Sequence, residues 1–390
     1  MKLGIYGGTF DPPHIGHIIA AREAKKALGI DKMLLIPAAI PPHKELHDSS
    51  ASAEDRMNMA ALAAEYIGDT EASDIELKRG GKSYTFDTLT ELETIYPNDD
   101  KYLFIGTDML MSFEQWYRFA DIMKKCTLVV FSRENGEDEM ISAESDRLMN
   151  LYGGKIVTVK NNAVDISSTE LRAILCKRSG NLYLADKVYG YIVSHRLYGV
   201  KPDFDWLRTK SYEMLKLERI PHVAGCEYEA VKLAVRWGAD VESAREAAIL
   251  HDCTKKLKLD DQLILCEKYG IILDNMEKCD AKLLHSKTGA AIARDKFGVS
   301  DEVYGAIFWH TTGRADMTLL EKIIYLADYI EPNRNFDGLD DLRYAAYSNL
   351  DAAMILGLKM SLEDLHERNI EPHPKTKETI MWLESISQKG

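Results

Sequence analysis

The chain has 390 residues, of which 46% are hydrophobic and 28% charged, a composition typical of ordinary soluble globular proteins. The formal net charge of -13 leaves no basic stripe, which argues against nucleic-acid binding. The six cysteines form no C-x-x-C pair, no signal peptide opens the chain and no apolar run could span a membrane, so we expect a cytoplasmic protein that binds no membrane.

A chain of this length exceeds what one hydrophobic core usually serves, so two domains are expected. Short apolar strands alternate with helices over the first 200 residues. Strands are predicted at residues 2–6, 32–37, 73–77, 101–105, 127–132 and 155–159, and helices at 16–28, 53–67, 84–95 and 113–124. Such alternation predicts an α/β fold with a Rossmann-like, doubly wound parallel sheet, whose ligands bind at the carboxyl ends of the strands.

The pattern changes around residues 199–203, where the strands stop and Pro202 interrupts the chain. Helices are predicted at residues 205–217, 226–237, 241–255, 261–269, 278–297, 302–308, 319–330 and 339–367. We therefore expect one domain over residues 1–200 and an all-α domain over residues 203–388. Whether the protein forms a homo-oligomer is left open by the sequence.

Residues 8–17, GTFDPPHIGH, lie between the first strand and the first helix. Gly7 and Gly8 permit a sharp turn close to a ligand, and the unpaired N–H groups of a helix N-terminus favour an anion. His14 and His17 are three residues apart, so in a first helical turn both can donate to phosphate oxygens. A Walker lysine and a G-x-G-x-x-G motif are both missing, so the common nucleotide loops do not fit.

Two later segments are expected to bring further anion-binding groups to the same edge of the sheet. Lys44, in the loop after the second strand, offers a mobile positive charge or is simply a solvated loop residue. Ser167 and Glu170 form a capping box that opens a helix carrying Arg172, which provides a second helix N-terminus.

Polar and aromatic residues after the fourth strand are candidates for nucleotide contacts. Asp108 follows this strand directly, where a carboxylate can bind Mg²⁺ or a ribose hydroxyl, or merely cap the next helix. Trp116 and Tyr117 can stack on a planar ring, although core packing is the commoner role of aromatic residues.

Together these segments resemble the nucleotidylyltransferase superfamily and, within it, the nicotinate mononucleotide adenylyltransferases. The similar segments are GGTFDPPHIGH at 7–17, IPAAIPPHK at 36–44, KSYT at 82–85, IGTDML at 105–110, DISSTELR at 165–172 and VYGYIVSHRLY at 188–198. This resemblance implies adenylyl transfer from ATP, accompanied by Mg²⁺, to nicotinate mononucleotide. A cytidylyltransferase or a pantetheine-phosphate adenylyltransferase is the alternative.

The resemblance also assigns roles to individual residues. It implies that the ATP phosphates are held by His14, His17 and Arg172. It implies that the nucleotide site is shaped by Gly7, Gly8, Thr9, Phe10, Lys44, Asp108, Ser168 and Thr169. It implies that the mononucleotide is recognised by Thr85, Trp116 and Tyr117.

The helical half of the chain carries a second set of residues with metal-ligand chemistry. These imidazoles and carboxylates are His222, His251, Asp252, His285, His310 and Asp328. Any one of them alone is more often a satisfied core residue. As a set they indicate a mixed shell suited to Fe, Mn or Zn.

This half resembles the HD superfamily of metal-dependent phosphohydrolases, and within it the YqeK-type symmetrical diadenosine tetraphosphate hydrolases. The similar segments are IPH at 220–222, AILHD at 248–252, LH at 284–285, WHTTGR at 309–314 and YLADYIEP at 325–332. The family usually has Gly-Pro-Val after its third histidine, whereas this chain has Ser286, Lys287 and Thr288.

The resemblance implies two divalent metals and hydrolysis of diadenosine tetraphosphate. One metal would be held by His222, His251, Asp252 and Asp328. Asp252 would bridge to a second metal held by His285 and His310, and Lys255 and Arg314 would neutralise the polyphosphate. The alternatives are a helical domain that senses a nucleotide without cleaving it, or one that hydrolyses a different nucleotide.

Overall fold

The computed structural model describes residues 1–41, 49–133, 138–161 and 166–387. The chain divides into two compact units, Met1–Lys201 and Pro202–Gly390. Among the described residues, no helix combines the length and apolar character that a membrane crossing requires. The predicted fold class is confirmed, because a parallel α/β unit is followed by an all-helical one.

The first unit is built on a six-stranded parallel sheet. Its strands are β1 Lys2–Gly8, β2 Lys32–Pro37, β3 Thr70–Ala72, β4 Asp100–Gly106, β5 Thr127–Arg133 and β6 Lys155–Asn161. The order across the sheet is β3-β2-β1-β4-β5-β6, so the chain reverses its direction of winding between β1 and β4. Ligands of such sheets bind in the crevice at this switch point, outside the carboxyl ends of the strands.

Helices cover the sheet and begin where local signals predict. Along the described residues they are α1 Ile15–Leu28, α2 Ala53–Ala64, α3 Ile75–Arg79, α4 Thr85–Ile95, α5 Thr107–Met111, α6 Phe119–Lys125, α7 Asp138–Tyr152, α8 Ser168–Leu175 and α9 Asp186–Ser194. The capping box of Ser167 and Glu170 is present at the start of α8. α1 ends at Gly29, whose φ of 62° is the left-handed conformation that glycine tolerates best.

Several predicted elements of this unit were wrong. Residues 73–77 were expected to form a strand, but β3 ends at Ala72 and the following segment forms the short helix α3. The helix predicted at 113–124 is interrupted, because Arg118 has a φ of 56° and α6 begins only after it. The helix α7 was missed altogether.

The second unit is entirely helical along its described residues. Its helices are α10 Phe204–Glu213, α11 Ile220–Trp237, α12 Val241–Leu250, α13 Leu259–Lys268, α14 Ala281–Phe297, α15 Asp301–Trp309, α16 Leu319–Ile330, α17 Leu339–Ser348, α18 Leu350–Glu367 and α19 Pro374–Ser387. One apolar core joins them, with α11, α12 and α16 at its centre. Burying that core is the main term that stabilises the bundle.

Three predicted helices of this unit have different bounds in the structure, and two of the differences concern predicted metal ligands. α11 starts at Ile220, so His222 lies inside its first turn rather than before it. α12 ends at Leu250, so His251 and Asp252 lie in the turn that follows. The long helix predicted at 339–367 is two helices, because Asn349 ends α17 and caps α18.

Candidate functional sites

The loop after β1 is held in place by its own aspartate. Asp11 is 2% exposed, and its Oδ1 accepts hydrogen bonds from the Tyr198 hydroxyl at 2.7 Å and the Ala51 N–H at 3.0 Å. Arg172 Nη1 donates to the backbone oxygen of Asp11 at 2.6 Å. A buried carboxylate is stable only with such partners, so Asp11 joins three distant parts of the chain beneath the loop.

A buried arginine that the sequence analysis missed supports the same loop from the other side. Arg56, on α2, is 1% exposed. Its Nη1 donates to the carbonyls of Thr9 at 3.0 Å and Ala38 at 2.6 Å, and its Nη2 to that of Ala39 at 3.4 Å. Arg56 therefore connects the chain after β1 to the chain after β2, where ligands of this fold bind.

The two motif histidines converge at the start of α1. The ring centroids of His14 and His17 are 3.8 Å apart, and His17 Nδ1 accepts the backbone N–H of His14 at 3.2 Å. Burial, together with the neighbouring His14, holds the pKa of His17 well below its ordinary value of 6.5. His17 is therefore neutral at pH 7 and carries its proton on Nε2, which can donate to an anion.

A cavity of about 210 Å³ opens beside this loop at the carboxyl ends of β1 and β4. It brings together six of the residues predicted to contact substrates: Gly7, Gly8, Thr9, Thr85, Trp116 and Tyr117. Tyr117 lies 5.0 Å from Tyr84 between ring centroids, and both residues line the cavity. An apolar, aromatic wall beside glycine backbone suits a ligand with a planar ring and a phosphate.

The other predicted residues of the first unit differ in their surroundings. Ser168 Oγ donates to the backbone oxygen of Pro12 at 3.0 Å, so the start of α8 is fixed against the motif. Thr169 Oγ1 accepts from Arg172 Nη2 at 3.3 Å. Phe10 is buried, whereas Asp108 is exposed in the first turn of α5. Lys44 lies outside the described residues.

The predicted metal ligands of the second unit form one cluster. His222 Nε2 lies 2.9 Å from Asp328 Oδ1 and 3.8 Å from Asp252 Oδ2. His251 Nε2 lies 3.5 Å from Asp252 Oδ2. The nearest ligand atoms of His222, His251 and Asp328 all lie within 4.8 Å of one another, a spacing that one metal ion can bridge.

The remaining two histidines complete the other side of Asp252. His285 Nε2 lies 3.2 Å from Asp252 Oδ1 and 3.0 Å from His310 Nε2. His251, Asp252 and His310 form a second group of ligand atoms within 4.8 Å. Asp252 thus presents one oxygen to each side, as expected for a carboxylate that bridges two cations.

Hydrogen bonds set the tautomers that metal binding requires. The Nδ1 atoms of His251, His285 and His310 lie 2.7, 2.6 and 2.7 Å from the carbonyls of the residues three positions earlier, to which they donate. Each Nε2 therefore carries a lone pair that faces the cluster. Burial lowers the pKa of His285 and of His310 to about 4, so both rings are neutral at pH 7.

One buried atom tests whether the cluster fits a metal. His251 is 0% exposed, and its Nε2 has no hydrogen-bond partner among the described residues. A buried polar atom without a partner costs about 1–3 kcal/mol, which a metal ion would recover. The residues present therefore fit divalent cations.

Three further residues at this cluster were missed by the sequence analysis. Glu331 is 1% exposed, and its Oε1 lies 3.1 Å from His222 Nδ1, so it orients that ring. Arg219 forms an ion pair with Asp252, and Arg334 Nη2 donates to Asp328 Oδ1 at 2.8 Å. The sequence offers two signals: Glu331 lies inside the motif YLADYIEP, and Arg219 directly precedes α11, three residues before His222.

The comparisons with known proteins follow this division of the chain. Residues 5–174 match the cytidylyltransferase-like family, and residues 219–333 match the HD domain family. A probable nicotinate-nucleotide adenylyltransferase from Listeria monocytogenes is 39% identical over 200 residues, which is 51% of this chain and 98% of that protein. The chain belongs to the nicotinate-nucleotide adenylyltransferase family.

A second adenylyltransferase relative, from Carboxydothermus hydrogenoformans, is 36% identical over 198 residues, covering 50% of this chain and 98% of that protein. Among solved structures, a predicted HD superfamily hydrolase involved in NAD metabolism from Clostridium acetobutylicum is 36% identical, with a TM-score of 0.46. It matches 47% of this chain and 97% of its own. Because residues 219–333 match the HD domain family, the second unit of this adenylyltransferase family member is an all-helical HD domain.

Two predicted phosphate-binding residues of the HD domain differ in their surroundings. Lys255 Nζ lies 3.0 Å from His285 Nε2 and 3.7 Å from Asp252 Oδ1, so it reaches the cluster. Arg314 instead donates to Glu321 through Nε at 3.0 Å. Its role in neutralising a polyphosphate stays a prediction.

The residues that stand in place of the usual Gly-Pro-Val bond to the segments around them. Thr288 is 0% exposed, and its Oγ1 lies 3.1 Å from Gln262 Oε1, 3.0 Å from the carbonyl of Leu284 and 2.9 Å from Thr254 Oγ1. Ser286 donates to the carbonyl of Leu283, and Lys287 pairs with Glu277. These three side chains therefore support the packing of α13 and α14 rather than the ligand shell.

A third group of potential ligands, Asp274, Glu277 and His373, does not fit a metal. His373 Nδ1 accepts the backbone N–H of Lys375 at 3.2 Å, so its proton lies on Nε2 and points to Asp274 Oδ2 at 2.8 Å. A ligating Nε2 must be unprotonated. This hydrogen-bonded group instead links the segment before α14 to the residue before α19.

Proposed function

We propose that residues 1–200 transfer the adenylyl group of ATP to nicotinate mononucleotide, giving deamido-NAD and pyrophosphate. The observation that carries this proposal is the cavity that joins the glycines after β1 to Thr85, Trp116 and Tyr117. One part of this wall offers backbone to phosphates, and the other offers aromatic faces to a pyridine ring.

The reaction needs alignment and charge neutralisation. A phosphate oxygen of the mononucleotide attacks the α-phosphorus of ATP, and the bond between that phosphorus and the α,β-bridging oxygen breaks as pyrophosphate leaves. His17 donates through Nε2–H to the phosphates, while Arg172 and Ser168 keep the loop and the start of α8 together. Mg²⁺ brought in with ATP neutralises further charge.

The test is an acceptor panel with the purified full-length chain. ATP is supplied with nicotinate mononucleotide, nicotinamide mononucleotide or 4′-phosphopantetheine, and CTP is tested as an alternative donor. Pyrophosphate and the dinucleotide product are measured by coupled assay and chromatography. We expect the highest kcat/KM with ATP and nicotinate mononucleotide, and preferred use of phosphopantetheine or CTP would refute the proposal.

For residues 203–388 we propose symmetrical hydrolysis of diadenosine tetraphosphate to two molecules of ADP. The observation that carries it is the buried cluster in which His222, His251 and Asp328 lie on one side of Asp252 and His285 and His310 on the other. Divalent cations held by these residues supply a water nucleophile at neutral pH and neutralise phosphate charge. Fe is the expected metal, with Mn or Zn as alternatives.

Positively charged residues of the protein are available to bind the tetraphosphate of the substrate. Water adds to one of the two central phosphorus atoms, the bond from this phosphorus to the central bridging oxygen breaks, and two ADP leave. Lys255 and Arg219, both at the cluster, each offer a positive charge to the tetraphosphate. The predicted contribution of Arg314 belongs to this proposal as well.

The test distinguishes hydrolysis from sensing. The full-length chain is incubated with diadenosine tetraphosphate and Fe²⁺ or Mn²⁺, and the nucleotides are separated by ion-exchange chromatography. ADP as the sole product supports the proposal, whereas ATP with AMP indicates asymmetric cleavage. Binding of the dinucleotide without any product would support a sensor instead.

A further inference from the structure

One wall of the adenylyltransferase cavity includes Ala38 and Pro41 from the segment after β2 and residues 83–85 at the start of α4. They are joined directly, because Ser83 Oγ accepts the backbone N–H of Ala39 at 2.8 Å and the Ser83 N–H donates to the carbonyl of Ile40 at 2.9 Å. Thr85 belongs to this wall, so its position depends on these contacts.

Glu76 lies at the centre of this wall. It is 7% exposed, lines the cavity itself and extends from the short helix α3. Its Oε1 accepts the hydroxyl of Thr88, on α4, at 2.6 Å, and the Ser83 side chain lies beside the carboxylate. It therefore contacts the residues on both sides of the stretch that carries Thr85.

The chemistry of these contacts favours a carboxylate. The Ser83 hydroxyl already accepts the N–H of Ala39, and the Thr88 hydroxyl accepts Arg79 Nη2 at 2.9 Å, so each has its one hydrogen left to donate. An ionised carboxylate offers two oxygens that only accept, whereas a glutamine amide replaces one of them by a donating NH₂ group. Burial raises the pKa of Glu76 above its ordinary value of 4.5, which reflects how far this group is removed from water.

We propose that Glu76 is a positioning residue for the mononucleotide half of the cavity: it holds Ser83 and Thr88 so that Thr85 and the chain after β2 keep their binding geometry. This inference rests on the proposed adenylyl transfer and deepens it. The ATP phosphates are handled by the loop after β1, so Glu76 should affect one substrate and not the other.

The experiment compares Glu76→Gln, Ser83→Ala and Thr88→Val in the full-length chain. Steady-state kinetics give KM for nicotinate mononucleotide and for ATP, and calorimetry gives Kd for the mononucleotide alone. We expect Glu76→Gln to raise KM and Kd for the mononucleotide about tenfold, the size of one buried hydrogen bond to a charged group, with KM for ATP unchanged. Ser83→Ala and Thr88→Val should each also raise KM and Kd for the mononucleotide.

Glu93→Gln is the matched control, because Glu93 lies on the same helix α4 but pairs with Lys125. Circular dichroism shows whether each variant is folded, and Thr88→Val still tests the inference if Glu76→Gln is not. Equal Kd values for wild type and Glu76→Gln would overturn the inference while leaving the proposed function standing. An effect of Glu76→Gln without any effect of Ser83→Ala or Thr88→Val would make Glu76 a direct substrate contact, which also overturns it. A wild-type chain that does not bind the mononucleotide would overturn both.

Discussion

At the scale of single residues, the proton on His17 Nε2 links the sequence motif to catalysis. Because Nδ1 accepts the backbone N–H of His14, Nε2–H is the donor available to phosphate oxygens, whose charge increases in the transition state. We expect His17→Ala to lower kcat for adenylyl transfer about 100-fold to 1,000-fold and to change KM for the mononucleotide little.

His195→Ala is the control for this substitution, because His195 is an exposed histidine that stacks on Tyr191. Steady-state kinetics with both substrates varied measure the effect. An unchanged kcat in His17→Ala would contradict the role given to Nε2.

The raised pKa of Glu76 leads to a pH dependence. As the pH falls through this pKa, the carboxylate gains a proton and loses an acceptor, so wild type comes to resemble Glu76→Gln. The ratio of KM for the mononucleotide, variant over wild type, should therefore be largest above this pKa and fall towards one in acid. Titration of the substrate itself affects both proteins equally and cancels in the ratio.

The ratio is measured from pH 8 downward as far as the protein remains folded. A ratio that is independent of pH would mean that the ionised form of Glu76 is not what holds Ser83 and Thr88.

The sequence identified residues expected to touch substrate or metal better than the buried residues that hold them in place. His14, His17 and the six metal-ligand candidates follow from residue type and spacing, and the structure brings each set together. Glu76, Arg56 and Glu331 act through partners that are distant in sequence, so no local pattern identifies them. Their burial is the deciding feature, and burial is a property of the fold.

At the scale of elements, the strands were the most predictable part, because β1, β2, β4, β5 and β6 are short apolar runs. The misplaced boundaries have local causes that propensity does not reveal. The left-handed Arg118 places its guanidinium 3.8 Å from the Phe86 ring centroid, a tertiary contact that interrupts a helical pattern. Asn349 caps α18 through the Ala352 N–H at 3.1 Å, a signal visible in the sequence but read as helix interior.

The buried threonine on α14 gives a prediction at this scale. Replacing Thr288 by valine keeps the shape of the side chain but removes the buried hydroxyl that lies 3.1 Å from Gln262 Oε1 and 2.9 Å from Thr254 Oγ1. We expect a loss of about 1–3 kcal/mol in the free energy of unfolding, with metal content per chain unchanged. Urea unfolding and elemental analysis measure the two quantities.

Thr209→Val is the matched control, because Thr209 is exposed on α10 and donates only to the carbonyl of Asp205. A Thr288→Val protein of wild-type stability, or one that has lost its metal, would contradict the view that this segment supports packing alone.

At the scale of the whole molecule, two compact units each contain their own core and their own set of chemical groups. The change from βα alternation to continuous helix predicted two fold classes. Whether one site affects the other does not follow from a sequence pattern, because such coupling depends on contacts that differ between conformational states of the protein.

The independence of the two sites is therefore the prediction that belongs to this scale. Asp252→Ala removes the carboxylate that lies between the two groups of ligands, so we expect loss of bound metal and at least a 100-fold fall in hydrolysis, with adenylyl transfer unchanged. His17→Ala should lower adenylyl transfer and leave the bound metal and the hydrolysis rate unchanged. Asp274→Ala, which alters an exposed carboxylate in the same unit, should retain metal and both activities. If Asp252→Ala also slowed adenylyl transfer while the protein stayed folded, the two units would share a coupled conformational equilibrium, and the bifunctional chain would be a regulated enzyme rather than two catalysts on one polypeptide.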